Sequence, residues 1–259
     1  METVQHQQTT IIKRDNVDPG HLTELIELEE NYWWHVAKRK LVTEILFNEF
    51  PAPGSVIEGG IGSARNLLEF SRMGYEVTGF DLMQDSVDYG RSRGLNNLAV
   101  HELSQPWPVA PASARAVVLL DVMEHMQDPV QLLKNAAETL ADDGGIIITV
   151  PAYPSLFSDW DRKMGHYCRY TKKHFRQNAK EAGLKVKWLT HWNSFTLPAA
   201  IISRGADRVL KRENDETPRF SRIPRFLNRC LLSCAGVERK LIHVTGVPWG
   251  LSLVGVLVK

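Results

Sequence analysis

From Ser55 onward, short runs of apolar and β-branched residues alternate with segments of helical period, and this alternation constrains the architecture more than any other feature. SVIE precedes SARNLLEFSRMG, and EVTGFD precedes QDSVDYGRSRG. LAVHEL and RAVVLLD come next; PVQLLKNAAETLADDGG leads into IIITVP, and TKKHFRQNAKEAG into LKVKWLTHW. Strands separated by helices in this way predict an α/β fold, a doubly wound and mostly parallel sheet with helices on both faces. IIITV reads as buried on both sides, whereas Val186 and Trp188 alternate with Lys185 and Lys187 as in a strand nearer the edge. GLSLVGVLVK supplies the seventh strand.

Around this core, 51–193, the chain carries three further parts. Residues 1–50 hold a polar tail and two helices, the first opened by Asp18-Pro19 and the second, NYWWHVAKRKLVTEILFNEF, ended by Pro51. Residues 194–247 form a helical insertion, and 248–259 return to the sheet. KRENDETPRF, 211–220, reads as a linker.

The composition is that of an ordinary globular protein, with 43% hydrophobic and 24% charged residues. Thirty-one bases against 30 acids leave no basic excess, which argues against a nucleic-acid partner. Three cysteines are too few for a disulfide framework and suit a cytoplasmic location; Cys230 and Cys234 read as core packing and not as metal ligands. No stretch reaches the ~18 to 20 apolar residues of a membrane span. The N-terminus lacks the basic and apolar regions of a secretory signal.

The turn VIEGGIGSARN carries the chemistry. A glycine-rich strand-to-helix turn brings backbone amides and a helix N-terminus against a ligand. A dinucleotide fingerprint counted from Gly60 places Gly62 in register but Arg65 where a third small residue belongs, and a phosphate-binding loop would end in Gly-Lys-Ser/Thr. What remains is Glu58, Gly60, Gly62 and Ala64, followed by Asp81 at the end of the next strand. An acid before the glycines is a poor neighbour for a pyrophosphate and a good one for an ammonium and a sulfonium. S-adenosylmethionine has both, with Glu58 at its amino-acid end and Asp81 on the ribose hydroxyls.

With these pieces the chain resembles the class I S-adenosylmethionine-dependent methyltransferases over roughly residues 30 to 195. VIEGGIGSA, VTGFD, WPV, LLDVMEHMQDP and LLKNAAETLADDGGIIITVP appear in family order. The likeness is nearest to the bacterial group that includes the ubiquinone-pathway O-methyltransferases, and nearer still to members with a WW motif near the N-terminus and a GHYxRY motif after the fifth strand. Departures are Ala64 for a usual glycine, Gly59 for a usual apolar residue, and Ser104 where many members place an acid near the adenine. The resemblance implies a Rossmann-like fold and a cofactor site of Glu58, Gly59, Gly60, Gly62, Asp81, Leu82, Ser104 and Asp121.

Acceptor chemistry belongs beyond the carboxyl ends of the fourth and fifth strands. There the sequence offers His125 after Asp121-Val-Met-Glu124, and Asp161, His166, Arg169 and Tyr170 in the long loop after the fifth strand. In-line methyl transfer gains roughly 7 to 11 kcal/mol from positioning. A hydroxyl or amine acceptor also needs a base, for which His125 and His166 are candidates; each could instead only order its loop. Arg169 could clamp an anionic acceptor or pair with Asp161. Asp121, Glu124 and His125 only partly satisfy the shell of Mg²⁺ or Zn²⁺, and no metal is assigned. Tyr32, Trp33 and Trp34 suit a sulfonium or plain helix packing.

The reading is an enzyme that methylates oxygen or nitrogen of a small molecule. A nucleic-acid or protein methyltransferase, a catalytically silent subunit and a nicotinamide-dependent oxidoreductase are the alternatives. In the insertion, Ile223, Phe226, Leu227, Cys230 and Cys234 fall on one helical face and Arg222, Arg225 and Arg229 on another. Three uses compete for it: a lid over the acceptor pocket, a homodimer contact, or peripheral adhesion to anionic lipid.

Overall fold

The computed structural model describes residues 19–210 and 223–259. The polar tail, the segment KRENDETPRF and Arg222 lie outside the described residues. Two helices come first, α1 (Pro19–Asn31) and α2 (Trp33–Glu49). The strands are β1 (Ser55–Gly59), β2 (Glu76–Asp81), β3 (Leu98–Val100), β4 (Ala114–Leu120), β5 (Leu140–Pro151), β6 (Lys185–Trp192) and β7 (Ser252–Val258). Between them run α3 (Arg65–Arg72), α4 (Gln84–Ser92), α5 (Pro129–Thr139), the short α6 (Asp159–Lys163), α7 (Lys172–Glu181), α8 (Leu197–Leu210) and α9 (Arg225–Val244).

The seven strands lie in the order β3-β2-β1-β4-β5-β7-β6. All pairings are parallel except those of β7, which runs antiparallel to β5 and β6. The doubly wound, mostly parallel sheet expected from the alternation is therefore the one observed. Winding proceeds outward from β1 in one direction and from β4 in the other, so the carboxyl ends of these neighbours flank the switch point where open α/β sheets bind ligands.

Apolar residues cover both faces. On one, Leu41, Val42, Ile45 and Leu46 of α2 join Val56, Val118, Ile147 and Val254. On the other, Leu132 and Leu133 of α5 and Phe175 of α7 join Ile57, Val117, Ile146 and Ile148. Each such side chain contributes about 1.5–3 kcal/mol by leaving water. The central strand β5 has no solvent face from Gly144 to Val150, which is why its sequence does not alternate.

Two expectations are corrected. The sequence pattern carries the helix to Gly145, but α5 ends at Thr139 because Leu140 already pairs with Ala114 on β4. A Cβ at Gly144 would lie 2.7 Å from the Ala114 carbonyl oxygen, an approach only glycine permits. The second correction concerns Cys230 and Cys234 on α9, a helix that packs against α2 and β6 through Ala235, Glu238 and Ile242. Glu238 turns that side inward by accepting from the backbone N–H of Asn193 (2.8 Å) and Ser194 (2.7 Å). Cys230 is consequently half-buried and Cys234 exposed, so neither is core packing. Among the described residues, no helix is long and apolar enough to cross a membrane.

Candidate active site

β1 ends in Glu58 and Gly59, and the chain then turns into α3. The turn is pinned by the Gly60 N–H, which donates to the Phe80 carbonyl at 2.8 Å. Gly60 (φ +75°) and Gly62 (φ +53°) both occupy the left-handed region, where a side chain is strained. A Cβ on Gly60 would also lie 2.8 Å from Val122, so the backbone is held bare at the strand end.

Glu58 is 1% exposed. Its Oε1 accepts from Asn66 Nδ2 at 2.7 Å, while its buried Oε2 has no partner among the described residues. Burial lifts the carboxyl to about 8, so it stays protonated at neutral pH until a cation approaches. Across the turn, Asp81 Oδ2 accepts from the Gly62 N–H (3.1 Å) and Oδ1 from the Met83 N–H (2.9 Å). Burial raises this carboxyl as well. Each ionised oxygen can accept a second hydrogen bond, which leaves capacity for a diol. Leu82, 54% exposed, follows at the rim, and Ser104 donates to Glu102 at 3.0 Å in the loop after β3.

The leading helices close over this turn. Glu29 pairs with Ser63, and Glu30 with Arg65 (2.9 Å) and Arg93 (3.4 Å). Lys38 Nζ lies 2.7 Å from Asp121 Oδ2 and 4.1 Å from the centroid of Trp34. Glu29, Lys38, Arg39, Glu58, Gly60 and Asn66 are among the residues lining a cavity of about 50 Å³. His35, on the same wall, is driven down to about 2 by burial and by the charges of Lys38 and Arg39, and is therefore neutral. The lining thus combines the carboxyls of Glu29 and Glu58 with the cations of Lys38 and Arg39. A wider groove of about 550 Å³ is lined only by helix surface from α2, α3 and α9 and by Met73, with no strand-end residue.

Lys38, Glu29 and Asn66 were not found from sequence. The aromatic run beside them was, and it packs: Trp33 lies 5.5 Å from Phe195, and Trp34 stacks at 6.1 Å on Trp192.

Beyond β4 and β5 lies a second cluster. Asp121 takes φ +55° at the end of β4. Glu124 is 1% exposed, its Oε2 has no hydrogen-bond partner among the described residues, and burial together with the Asp121 charge raises its pKa well above the carboxylate range. Asp161, fully buried, is the hub of the loop after β5. Burial opposes its ionisation, but hydrogen bonds from His166 Nδ1 (3.1 Å), Arg169 (2.6 and 2.8 Å) and Ser158 outweigh that and hold it well below the usual range. As the carboxylate can only accept, His166 carries a proton on Nδ1. The His125 ring stands perpendicular to that of His166 with centroids 4.6 Å apart.

Glu124, His125 and His166 present ligand atoms within 4.8 Å of one another. His166 here takes the place that the motif alone would give to Asp121, which Lys38 engages. Tyr170 and Arg169 are both buried: the Tyr170 hydroxyl donates to the Met123 carbonyl at 3.0 Å, and Arg169 is spent on Asp161 and the Ala152 carbonyl. The structure brings the two histidines together and sets Asp161, Arg169 and Tyr170 behind them.

A family model described as a methyltransferase domain matches residues 33–187. Comparison with curated proteins returned no match. Among solved structures, a chain of the Haloferax volcanii complex between the Trm112 methyltransferase activator and a methyltransferase aligns with TM-score 0.58 at 18% identity, over 92% of this chain and 94% of that one. A SAM-dependent methyltransferase from Archaeoglobus fulgidus aligns with TM-score 0.56 at 14% identity, covering 90% and 98%. The [4+2]-cyclase SpnF aligns with TM-score 0.57 at 14% identity, covering 88% and 86%. At such identities these likenesses establish the fold.

Proposed function

The chain belongs to the methyltransferase-domain family, and from that premise we propose that it transfers a methyl group from S-adenosylmethionine to an oxygen or nitrogen of a small-molecule acceptor. The observation that carries this is the unpartnered, buried Oε2 of Glu58 beside a bare glycine turn. A buried acceptor without a partner costs about 1–3 kcal/mol, and a bound ammonium relieves it.

The residues fit the cofactor along its length. Glu58 and Asn66 would take the ammonium, Lys38 and Arg39 the carboxylate, and Asp81 the ribose hydroxyls, with Leu82 beside the base. When bound, S-adenosylmethionine supplies a methyl carbon activated by positive sulfur. A cavity of about 50 Å³ is small beside the ~300–1,000 Å³ of drug-sized ligand sites, so the α1–α2 pair must shift as the site fills.

On the acceptor side, His166 Nε2 receives the proton that the acceptor O–H or N–H gives up as its lone pair attacks the methyl carbon. Asp161 keeps the imidazole in the required tautomer and stabilises its protonated form, and Arg169 keeps Asp161 ionised. Tyr170 is a positioning residue that holds the Met123 turn. The three free cysteines suit a reducing cytoplasm.

Calorimetric titration with S-adenosylmethionine and NAD⁺ side by side tests the cofactor, and transfer of labelled methyl groups to a panel of phenols, alcohols and amines tests the acceptor. A second reading rests on the convergence of Glu124, His125 and His166. A divalent cation there would polarise the acceptor oxygen, and loss of turnover in EDTA would select it over the histidine base.

A further inference from the structure

α9 carries a second apolar stripe that no other described residue covers. Leu227, Cys230, Cys234, Val237, Leu241 and Val244 recur at alternating intervals of three and four, the spacing that keeps side chains on one line along a helix. The buried side of α9, through Ala235, Glu238 and Ile242, faces α2 and β6 and is offset around the axis. The outer stripe faces water: Val237 is 62% exposed, Leu241 50% and Val244 81%, and Phe226 beside its start is 80% exposed. Trp249, in the loop after α9, is 59% exposed. On α8, Ile202 is 72% exposed.

The charges decide what covers this face. The one acid on α9, Glu238, is buried and used by two backbone amides. Arg239 and His243 turn toward Glu44. Arg225, Arg229 and Lys240 are exposed, and at 100° per residue Arg229 and Lys240 fall along one edge of the stripe. A second copy of the chain packed on this face would bring two basic helices together with no exposed carboxylate on either helix to offset them. An anionic lipid surface supplies apolar depth for the stripe and negative headgroups for its basic edge, with the long Arg and Lys stems reaching outward.

We propose that α9, through Leu227, Val237, Leu241 and Val244 flanked by Arg225, Arg229 and Lys240, docks the protein on anionic phospholipid. The helix lies in the interface with Phe226 and Trp249 entering at its two ends. This stands independently of the assigned chemistry.

Flotation of the full chain with vesicles of phosphatidylcholine alone, or with added phosphatidylglycerol, tests it. The protein should float with the anionic vesicles, stay behind with the neutral ones, and be released in about 0.5 M salt, where screening shortens to a few ångströms. Arg229→Gln and Lys240→Gln should each lower binding about fivefold. Val237→Asp with Val244→Asp, at exposed positions, should lower it at least about tenfold while leaving cofactor affinity and the circular dichroism spectrum unchanged. Failure to float with anionic vesicles, or undiminished flotation of the Asp double variant, overturns the proposal. A dimer in vesicle-free solution that the Asp variant dissociates would also overturn it, by assigning the stripe to a second copy of the chain.

Discussion

Lys38 Nζ sits 2.7 Å from Asp121 Oδ2, joining the second leading helix to the end of β4 across 83 positions of sequence. The bond places a cation among Asp121, Glu58 and Glu124, on the wall of the cavity that Glu58 also lines. On the proposed function, a zwitterionic ligand entering there would exchange this internal pair for two pairs of its own.

If Lys38 receives the cofactor carboxylate, Lys38→Met should weaken S-adenosylmethionine binding about 10- to 100-fold, the loss of a charge-assisted contact. Decarboxylated S-adenosylmethionine should bind the natural protein and the variant with similar affinity. Calorimetry with both ligands checks this. An unchanged affinity for the intact cofactor would leave Lys38 as a structural tie to Asp121.

Binding should be coupled to a proton. Glu58, raised to about 8 by burial, must ionise to pair with an ammonium, so complex formation near pH 7 should release about one proton. Affinity should then rise about tenfold per pH unit between about pH 6 and pH 7.5. In the free protein the sign is opposite for stability: a raised carboxyl contributes stability that is present below 4.5 and lost as pH climbs through about 8. Titration in buffers of different ionisation enthalpy measures the proton, and Glu58→Gln should abolish its release.

The hydrogen bonds of Asp161 separate positioning from reaction. His166→Asn should lower kcat about 100- to 10,000-fold with the cofactor Kd unchanged. Asp161→Asn should also lower kcat, because the amide can present an N–H to Nδ1 and favour the wrong tautomer. It should further cost stability by leaving the buried Arg169 unpaired, a loss of about 3–5 kcal/mol visible in chemical denaturation.

For Tyr170, a role in holding the Met123 carbonyl predicts that Tyr170→Phe destabilises the fold by about 1–3 kcal/mol. Turnover at a temperature where the variant is folded should be retained to within a few-fold, whereas a catalytic phenol would cost far more. Thermal denaturation and steady-state rates distinguish the two.

What could be read from sequence was whatever depends on neighbours along the chain. The strands, Glu58, the positive-φ glycines and Asp81 all announce themselves locally, through periodicity, backbone demand or position at a strand end. Lys38 and Glu29 do not, since their place in the site is fixed by how α1 and α2 fold back over the turn, and charged residues on a helix look alike until it packs. The end of α5 was misplaced because a strand pairing with Ala114, not a local stop signal, terminates it. On α9, two apolar stripes compete in one sequence, and only the contacts of Glu238 reveal which one is buried.

The most direct test is the affinity of folded Glu58→Ala/Asp81→Ala for S-adenosylmethionine, set beside that of the natural protein for S-adenosylmethionine and NAD⁺. The account predicts binding of S-adenosylmethionine and not NAD⁺ by the natural protein, and a loss of at least about 100-fold in the double variant. Undiminished binding by the variant, or preference for NAD⁺, would contradict it.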